Sequence, residues 1–336
     1  MPRPHATHRK SLPLAMVATA ALTLSACGGV TDGSADDSDF PNENITLTVG
    51  QEAGGSTDLI ARAVADGSQD ALGVSMTVEN QPGANGALAT QDVASQDPDG
   101  YNLVLLNASL MSITSLVVSE DEAVDFEDLD VVKGLSQDDY VLIANADSDI
   151  ETIADMVEAD RTITYGTAGV GTASQLAQVL LMNEAEIDGN EVSFDSGAPA
   201  LTAVMGDQVE VATVQVGEAM PQIESGTVRP IAIFADERIE YLPDTPTATE
   251  EGYDVQVSQY RALAMPAGAS DDVLQTLEDG VDEIQASEAY QQFNEDNYLT
   301  PAELSGEEVV EEWTSMKDQY EQLMEENDID LGGNDS

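Results

Sequence analysis

From Asn44 onward, apolar residues fall into short strand-like runs separated by helical stripes. Ile45-Thr46-Leu47-Thr48-Val49 alternates with period two, as a half-buried strand does. After Gly54-Gly55, the residues Leu59, Ile60, Ala63, Val64, Ala71 and Leu72 share one helical face, with Thr57 or Asp58 available to cap it. A strand over 75–78 and a helix over 87–94 follow. Asn102–Leu106 is a near-continuous apolar run, the pattern of a strand buried on both faces. Further strands are predicted over 131–134, 140–144, 162–165, 192–194, 209–212 and 229–234, with helices over 150–159 and 172–182. The C-terminal quarter reads as helical, over 271–284 and 307–326, and no internal repeat is present. Strand-helix alternation over roughly 290 residues predicts an α/β protein with parallel strands, and the length predicts two domains.

The N-terminus has a different pattern. His5–Lys10 is basic, and Leu12–Leu24 is an apolar run of 13 residues, short of the about 20 that span a bilayer. It ends in Leu24-Ser25-Ala26-Cys27-Gly28-Gly29, and Cys27 is the only cysteine. This resembles a bacterial lipobox, so 1–26 is expected to be a lipoprotein signal peptide and Cys27 the lipidated first residue. Acyl chains contribute about 0.8 kcal/mol per buried CH₂, enough when several are attached to anchor the protein to a membrane surface. Residues 27–43 are polar and without periodicity, and read as a flexible tether.

Composition then narrows the chemistry. The 336 residues hold 10 Lys+Arg against 65 Asp+Glu, a formal charge of −55. Removing 1–26 takes away Arg3, Arg9, Lys10 and both histidines, leaving 7 − 65 = −58. Without histidine there is no Ser-His-Asp or Cys-His triad and no His-ligated zinc or haem. Lys133 and Lys317 stand outside any G-x-x-x-x-G-K-[ST] string, which excludes a P-loop. The charge argues against nucleic acid. The acids are spread along the chain, which reads as halophilic adaptation: at 1 M salt the screening length is roughly 3 Å. The string Asn145–Asp149 fails as an EF-hand, with Ile150 where glycine is needed and Met156 where the bidentate Glu belongs. No cofactor and no metal are expected.

In parallel sheets, ligands lie beyond the carboxyl ends of the strands. Two loops there have suitable chemistry: Ala53, Gly54, Gly55, Ser56, Thr57 and Asp58 after the first strand, and 166–172, with Thr167, Ala168, Gly169, Gly171 and Thr172, after the strand ending at Tyr165. Each is glycine-rich, bears hydroxyls and opens a helix, a combination that suits an anion. A charge-assisted hydrogen bond contributes about 1.5–3 kcal/mol, so a few amides suffice for a carboxylate. Either loop alone is equally compatible with an ordinary tight βα turn.

Eight strings in order sharpen this: ITLTVGQEAGGSTDLIARAVA, VENQPGANG, DPDGYNLVLLN, ITYGTAGVGTASQLA, GAPALTAVMGDQVEVA, IESGTVRPIAIF, LPDTPTATEEGY and MPAGAS. Together they resemble the extracytoplasmic solute receptors (TctC/Bug-like) of the tripartite tricarboxylate transporter family. The resemblance implies a two-lobed, type II-like periplasmic-binding-protein fold with two crossover strands, near 141–144 and 257–264. Lobe one would comprise 44–142 and 261–336, lobe two 143–260. The lobes would close on a small organic carboxylate, held by backbone amides of the two loops and handed to a membrane permease. The protein would be a monomeric binding protein outside the cytoplasm, not an enzyme. A subunit feeding a sensor and a carboxylate-dependent hydrolase are the alternatives.

The chain departs from the family pattern in places. Ala53 stands where proline is common, preceded by Gln51-Glu52, and Gln175 replaces a frequent histidine. Phe194-Asp195-Ser196 stands where Tyr-Lys-Gly is common. Asp195 is either a surface exchange suited to salt, the preferred reading, or a pocket acid for an amino group. Asn107 and Ser109 are polar pocket candidates by position. Arg261, in the second crossover, is the better pocket candidate of the two arginines; Arg62 reads as an ordinary ion pair. Tyr260 could line the cleft or pack in the core, and Trp313 falls on the apolar face of the last helix.

Overall fold

The computed structural model describes residues 40–119 and 122–332. The expected signal peptide, Cys27 and most of the expected tether lie outside the described residues. At the start of the described chain, the Phe40 ring meets Tyr101 edge-on at 5.1 Å, and the Asn42 amide donates to the Tyr101 hydroxyl. The last residues of the segment read as a tether are therefore packed on the domain.

In chain order the elements are β1 Ile45–Val49, α1 Ser56–Ala71, β2 Met76–Asn80, α2 Ala87–Ala94, β3 Asn102–Asn107, α3 Ser115–Val117 and β4 Leu129–Asn145. Then come α4 Ile153–Glu158, β5 Ile163–Thr167, α5 Ala173–Glu184, β6 Gly189–Ser193, α6 Gly197–Met205, β7 Val211–Gln215, α7 Val216–Glu224 and β8 Val228–Ile233. Last are β9 Ser258–Pro266, α8 Asp271–Ala286, α9 Glu288–Asp296, β10 Thr300–Pro301 and α10 Gly306–Glu326. A π-helical turn over Leu110–Thr114 follows β3.

The strands form two sheets sharing one long strand. In the first, β2, β1 and β3 are parallel, and β9 and then β4 are added antiparallel to their neighbours. In the second, β4 lies between β8 and β7, and β7, β5 and β6 are mutually parallel. β4 exchanges partners within two residues: Asp139 pairs with Ser258 of β9, and Tyr140 with Gln215 of β7. The return connection is made where the Val257 amide donates to Phe234 O, just before β9 begins. These switch points lie a few residues before the boundaries read from the sequence.

Each sheet is covered on both faces. Along β3, Leu103 and Leu105 enter a core with α1 and α8, while Val104 and Leu106 enter another with Val309 and Trp313 of α10. Trp313 is 1% exposed, so it is structural, as its helical face suggests. Along β4, Leu142 and Ala144 pack against α5, and Val141 and Ile143 against α6 and α7. The C-terminal helix serves both sheets: Tyr320, after Trp313, belongs to the core under the second sheet, as does Leu331 beyond the helix end.

Two expectations are corrected by tertiary contacts. Strands over 131–134 and 140–144 are one strand, because the polar stretch Ser136-Gln137-Asp138-Asp139 between them is paired with β9 and largely buried. The cap of α1 is Gly55, whose backbone is extended (φ −80°, ψ 170°), not Thr57 or Asp58, which lie inside the first helical turn. The helices α6, α7 and α9 were not predicted. The first is apolar almost all round with Pro199 in its first turn, and the second contains Pro221 and follows β7 without a loop.

Candidate functional site

A cavity of about 650 Å³ lies where the two sheets meet, and residues beyond the carboxyl ends of β1, β2, β3, β5, β6 and β7 line it. This is the location that parallel-strand topology assigns to a ligand. Gly55, Ser56, Thr57 and Asn107 stand on the first-sheet side, Ala168, Gly169, Thr172 and Asp195 on the second, and Arg261 at the junction. The two glycine-rich loops, 115 residues apart by their Gly54 and Gly169 turns, thus face one space.

The first loop is held by Asp58. Its carboxylate accepts from the Gly54 amide (2.8 Å), from Nε and Nη2 of Arg62 (both 2.9 Å) and from Asn80 Nδ2 (3.0 Å). Burial alone would raise its pKa, but the Arg62, Gly54 and Asn80 bonds outweigh that and hold it below the ordinary value. Gly54 has φ +92°, a conformation natural to glycine. Asp58 and Gly54 therefore shape the turn and do not line the cavity, nor does Ala53. Arg62 is the ordinary ion pair expected of it.

The second loop carries its own supports. Gly169 has φ +122°. Thr172 caps α5: its Oγ1 accepts from the Gln175 amide (3.4 Å) and donates to Gly169 O (2.7 Å). Gln175 reaches back, its Oε1 accepting from the Gly171 amide (2.8 Å) while its Nε2 donates to Glu191. The Thr167 hydroxyl is also taken by Glu191 (2.6 Å). Thr167 and Gly171 are thus framework, off the cavity wall. Ser109 is likewise off the wall, with its Oγ accepting from Asn85 Nδ2 (3.0 Å) and Gln259 Nε2 (2.8 Å). It positions two cavity-lining side chains that the sequence reading did not identify.

The centre is an ionic knot around Asp138, which was also missed. Its Oδ2 accepts from Ser56 Oγ (3.1 Å), Gln215 Nε2 (2.9 Å) and Arg261 Nη2 (3.1 Å). Arg261 is in turn bound through Nε to Thr57 Oγ1 (3.2 Å) and through Nη1 to Tyr260 O (3.3 Å). Ser56 belongs to α1, Asp138 to β4, Gln215 to β7 and Arg261 to β9, so one carboxylate joins both sheets. Burial pushes the Asp138 pKa up, opposed by Arg261, Ser56 and Ser136. Its signal in the sequence is an acid within the polar stretch between two apolar runs, legible only once those runs are known to be one strand.

A second wall feature was invisible in sequence. Glu218, in the first turn of α7, lines the cavity, and burial together with the nearby Asp138 pushes its pKa up to about 7, Arg261 opposing. Its carboxylate lies over Gly197, where an added Cβ would fall 1.9 Å from Glu218 Oε2. Asp195 is two residues before Gly197, and Glu52 lies in the first loop, so three acids line the cavity around a single arginine. An anion about 4 Å from one acid meets ~4 kcal/mol of repulsion at an effective dielectric near 20. That outweighs one charge-assisted hydrogen bond. The departures Gln51, Glu52, Phe194, Asp195 and Ser196 all line this space.

Among the described residues, no group of three His, Cys, Asp or Glu side chains is placed to hold a metal ion. No helix among them is long and apolar enough to cross a membrane.

Comparison with known proteins agrees with this architecture. The profile of the family described as the tripartite tricarboxylate transporter family receptor matches residues 60–327. A protein of Agrobacterium vitis, from the TAR-I ttuE-ttuC' intergenic region, is 32% identical over 232 residues, 68% of this chain and 67% of its own length. The periplasmic binding protein BugD superposes with a TM-score of 0.79 at 24% identity, over 87% of this chain and 99% of its own. MatC from Rhodopseudomonas palustris, with bound malate, gives 0.78 at 24% over 84% and 99%. Another R. palustris protein, with adipate, gives 0.81 at 21% over 87% and 99%. These superpositions establish the two-lobed periplasmic-binding-protein fold. The chain belongs to the family of tripartite tricarboxylate transporter receptors.

Proposed function

We propose that this protein is a lipid-anchored solute receptor outside the cytoplasm that binds a small organic carboxylate between its two lobes and delivers it to a membrane permease. The observation carrying this reading is the 650 Å³ cavity between the first-sheet and second-sheet loops, with the starts of α1 and α5 both on its wall. Relatives of the same fold hold malate and adipate, both small carboxylates. In this reading Gly55, Ser56, Thr57 and Asn107 meet the ligand from lobe one, and Ala168, Gly169 and Thr172 from lobe two. The lobes hinge where β4 changes partner and where β9 begins. Arg261 acts by holding Asp138 and Thr57. The reading is of stoichiometric binding by a monomer, without turnover.

The anchor and the export signal rest on the N-terminal sequence ending at Cys27. Cys27→Ser should release the protein from the membrane fraction into the soluble one; retention would exclude that anchor.

The binding reading is tested by calorimetry against a panel of small mono-, di- and tricarboxylates, with unsubstituted sugars as controls. Gly55→Asp places a carboxylate at the start of α1, where a Cβ meets nothing nearer than Glu52 O at 3.7 Å. Ala168→Asp does the same on the opposite wall. Each should weaken carboxylate binding at least tenfold with the melting temperature retained. Unchanged affinity in both would move the ligand elsewhere.

A further inference from the structure

The cavity wall is supplied for a cation as well as for a carboxylate. Six of the seven basic residues beyond Cys27 are in ion pairs: those of Arg62, Lys133, Arg161, Arg229, Arg238 and Arg261. The seventh, Lys317, is not on the cavity wall. Arg261 alone reaches it, and its three nitrogens are bound to Asp138, Thr57 and Tyr260. The second-sheet side of the wall presents Asp195 and Glu218, with the Glu218 carboxylate over Gly197, two residues along the chain from Asp195. A ligand carrying only carboxylates would place its second charge against Asp195 and Glu218.

We propose that the ligand of this receptor is an amino carboxylate, whose carboxylate is held by the starts of α1 and α5 and whose ammonium is held by Asp195 and Glu218. This rests on the carboxylate-receptor reading above and names the ligand class within it. A metal chelate is disfavoured, since no three acids converge among the described residues. An ammonium needs only two or three acceptors on one side, which is what this wall supplies.

Glu218 adds a directional signature. The charged and titratable groups facing it are Asp138 of β4, Arg261 of β9 and the Tyr140 phenol. Burial and Asp138 push its pKa up to about 7. An ammonium beside it favours the ionised form, so amino carboxylate binding strengthens as pH rises from 6 to 8. A plain dicarboxylate favours the protonated form and shows the reverse slope.

The test is calorimetry of the full chain with pairs differing by one amino group: succinate with aspartate, glutarate with glutamate, propionate with alanine. The amino member of at least one pair should bind tenfold or more tightly than its partner, with affinity rising from pH 6 to 8. Glu218→Gln and Asp195→Asn should each cut that ratio at least fivefold, and Glu218→Gln should remove the rise. Asp195 is exposed, so its variant reads the proposal even if the Glu218 variant misfolds. Equal or tighter binding of the des-amino acids, or ratios unmoved by the variants, would overturn the proposal and leave the carboxylate reading standing. If no acid of either kind binds, the carboxylate reading itself fails, and this proposal with it.

Discussion

Arg261 of β9 and Asp138 of β4 form an ion pair of 3.1 Å with side chains only 3% and 2% exposed, and Arg261 lines the cavity between the sheets. The pair sits where β4 leaves one sheet for the other. Because Ser56 and Gln215 also converge on Asp138, a polar knot ties the two sheets at this junction in addition to the apolar packing around it. Burying two charges is costly, and a pair of this kind is stabilising mainly relative to one broken partner.

Asp138→Asn should therefore destabilise the protein by about 3–5 kcal/mol in urea unfolding, since it leaves Arg261 buried without its counter-charge. Pairing it with Arg261→Met should recover part of the loss. A single variant within 1 kcal/mol of the parent would mean that solvent reaches the pair.

Two glycine substitutions should separate binding from stability. At Gly306 an added Cβ would lie 1.8 Å from Val131 O, a backbone atom of β4, so α10 must shift at its capped start. Gly306→Ala is expected to cost about 1–3 kcal/mol. At Gly197 the obstructing atom is the end of the Glu218 side chain, which can swing aside. Gly197→Ala is expected to keep its melting temperature while ligand affinity falls several-fold. Reversal of the two outcomes would refute the placement of Glu218.

Stability should respond to pH through the same glutamate. Folded Glu218 keeps its proton up to about 7, whereas the unfolded chain loses it near 4.5. Its contribution is therefore fully present below 4.5, falls as pH rises towards 7, and levels off above that. Asp138 and Asp139, both raised chiefly by burial, act in the same direction. Asp58, lowered by Arg62, Gly54 and Asn80 against the effect of burial, acts oppositely and loses its contribution in acid. Urea midpoints from pH 4.5 to 7.5 should fall less steeply in Glu218→Gln than in the parent. Parallel slopes would exclude the shift.

Salt should stabilise the whole molecule. With 65 acids against 10 bases, the surface repels itself unless screened. Raising NaCl from 0.1 M to 1 M shortens the screening length from about 10 Å to about 3 Å, and the melting temperature should rise throughout. A flat profile would argue that the acidity is not an adaptation to salt.

Much of this protein was legible in one dimension because its signals are local. The alternation in 45–49, the apolar run 102–106 and the helical stripe after Gly55 each report the burial of their own neighbourhood. The two glycine-rich turns announce backbone that must turn tightly at a helix start. Asp138 was missed for the opposite reason. Its partners Ser56, Gln215 and Arg261 lie 82, 77 and 123 residues away, and no local pattern marks such a convergence. Glu218 was hidden with α7, whose Pro221 breaks the expected helical reading.

By itself, then, the sequence determined the alternating α/β architecture and the two glycine-rich turns that open helices, because periodicity and backbone freedom are properties of the chain. Only the tertiary structure decided that β4 runs unbroken through a polar stretch, that Arg261 is committed to Asp138, and that Asp195 and Glu218 line one cavity. Those are matters of which distant groups are desolvated together. The energy of a charge depends on its neighbours in space, so the company that Asp138, Arg261 and Glu218 keep emerges only from the folded arrangement.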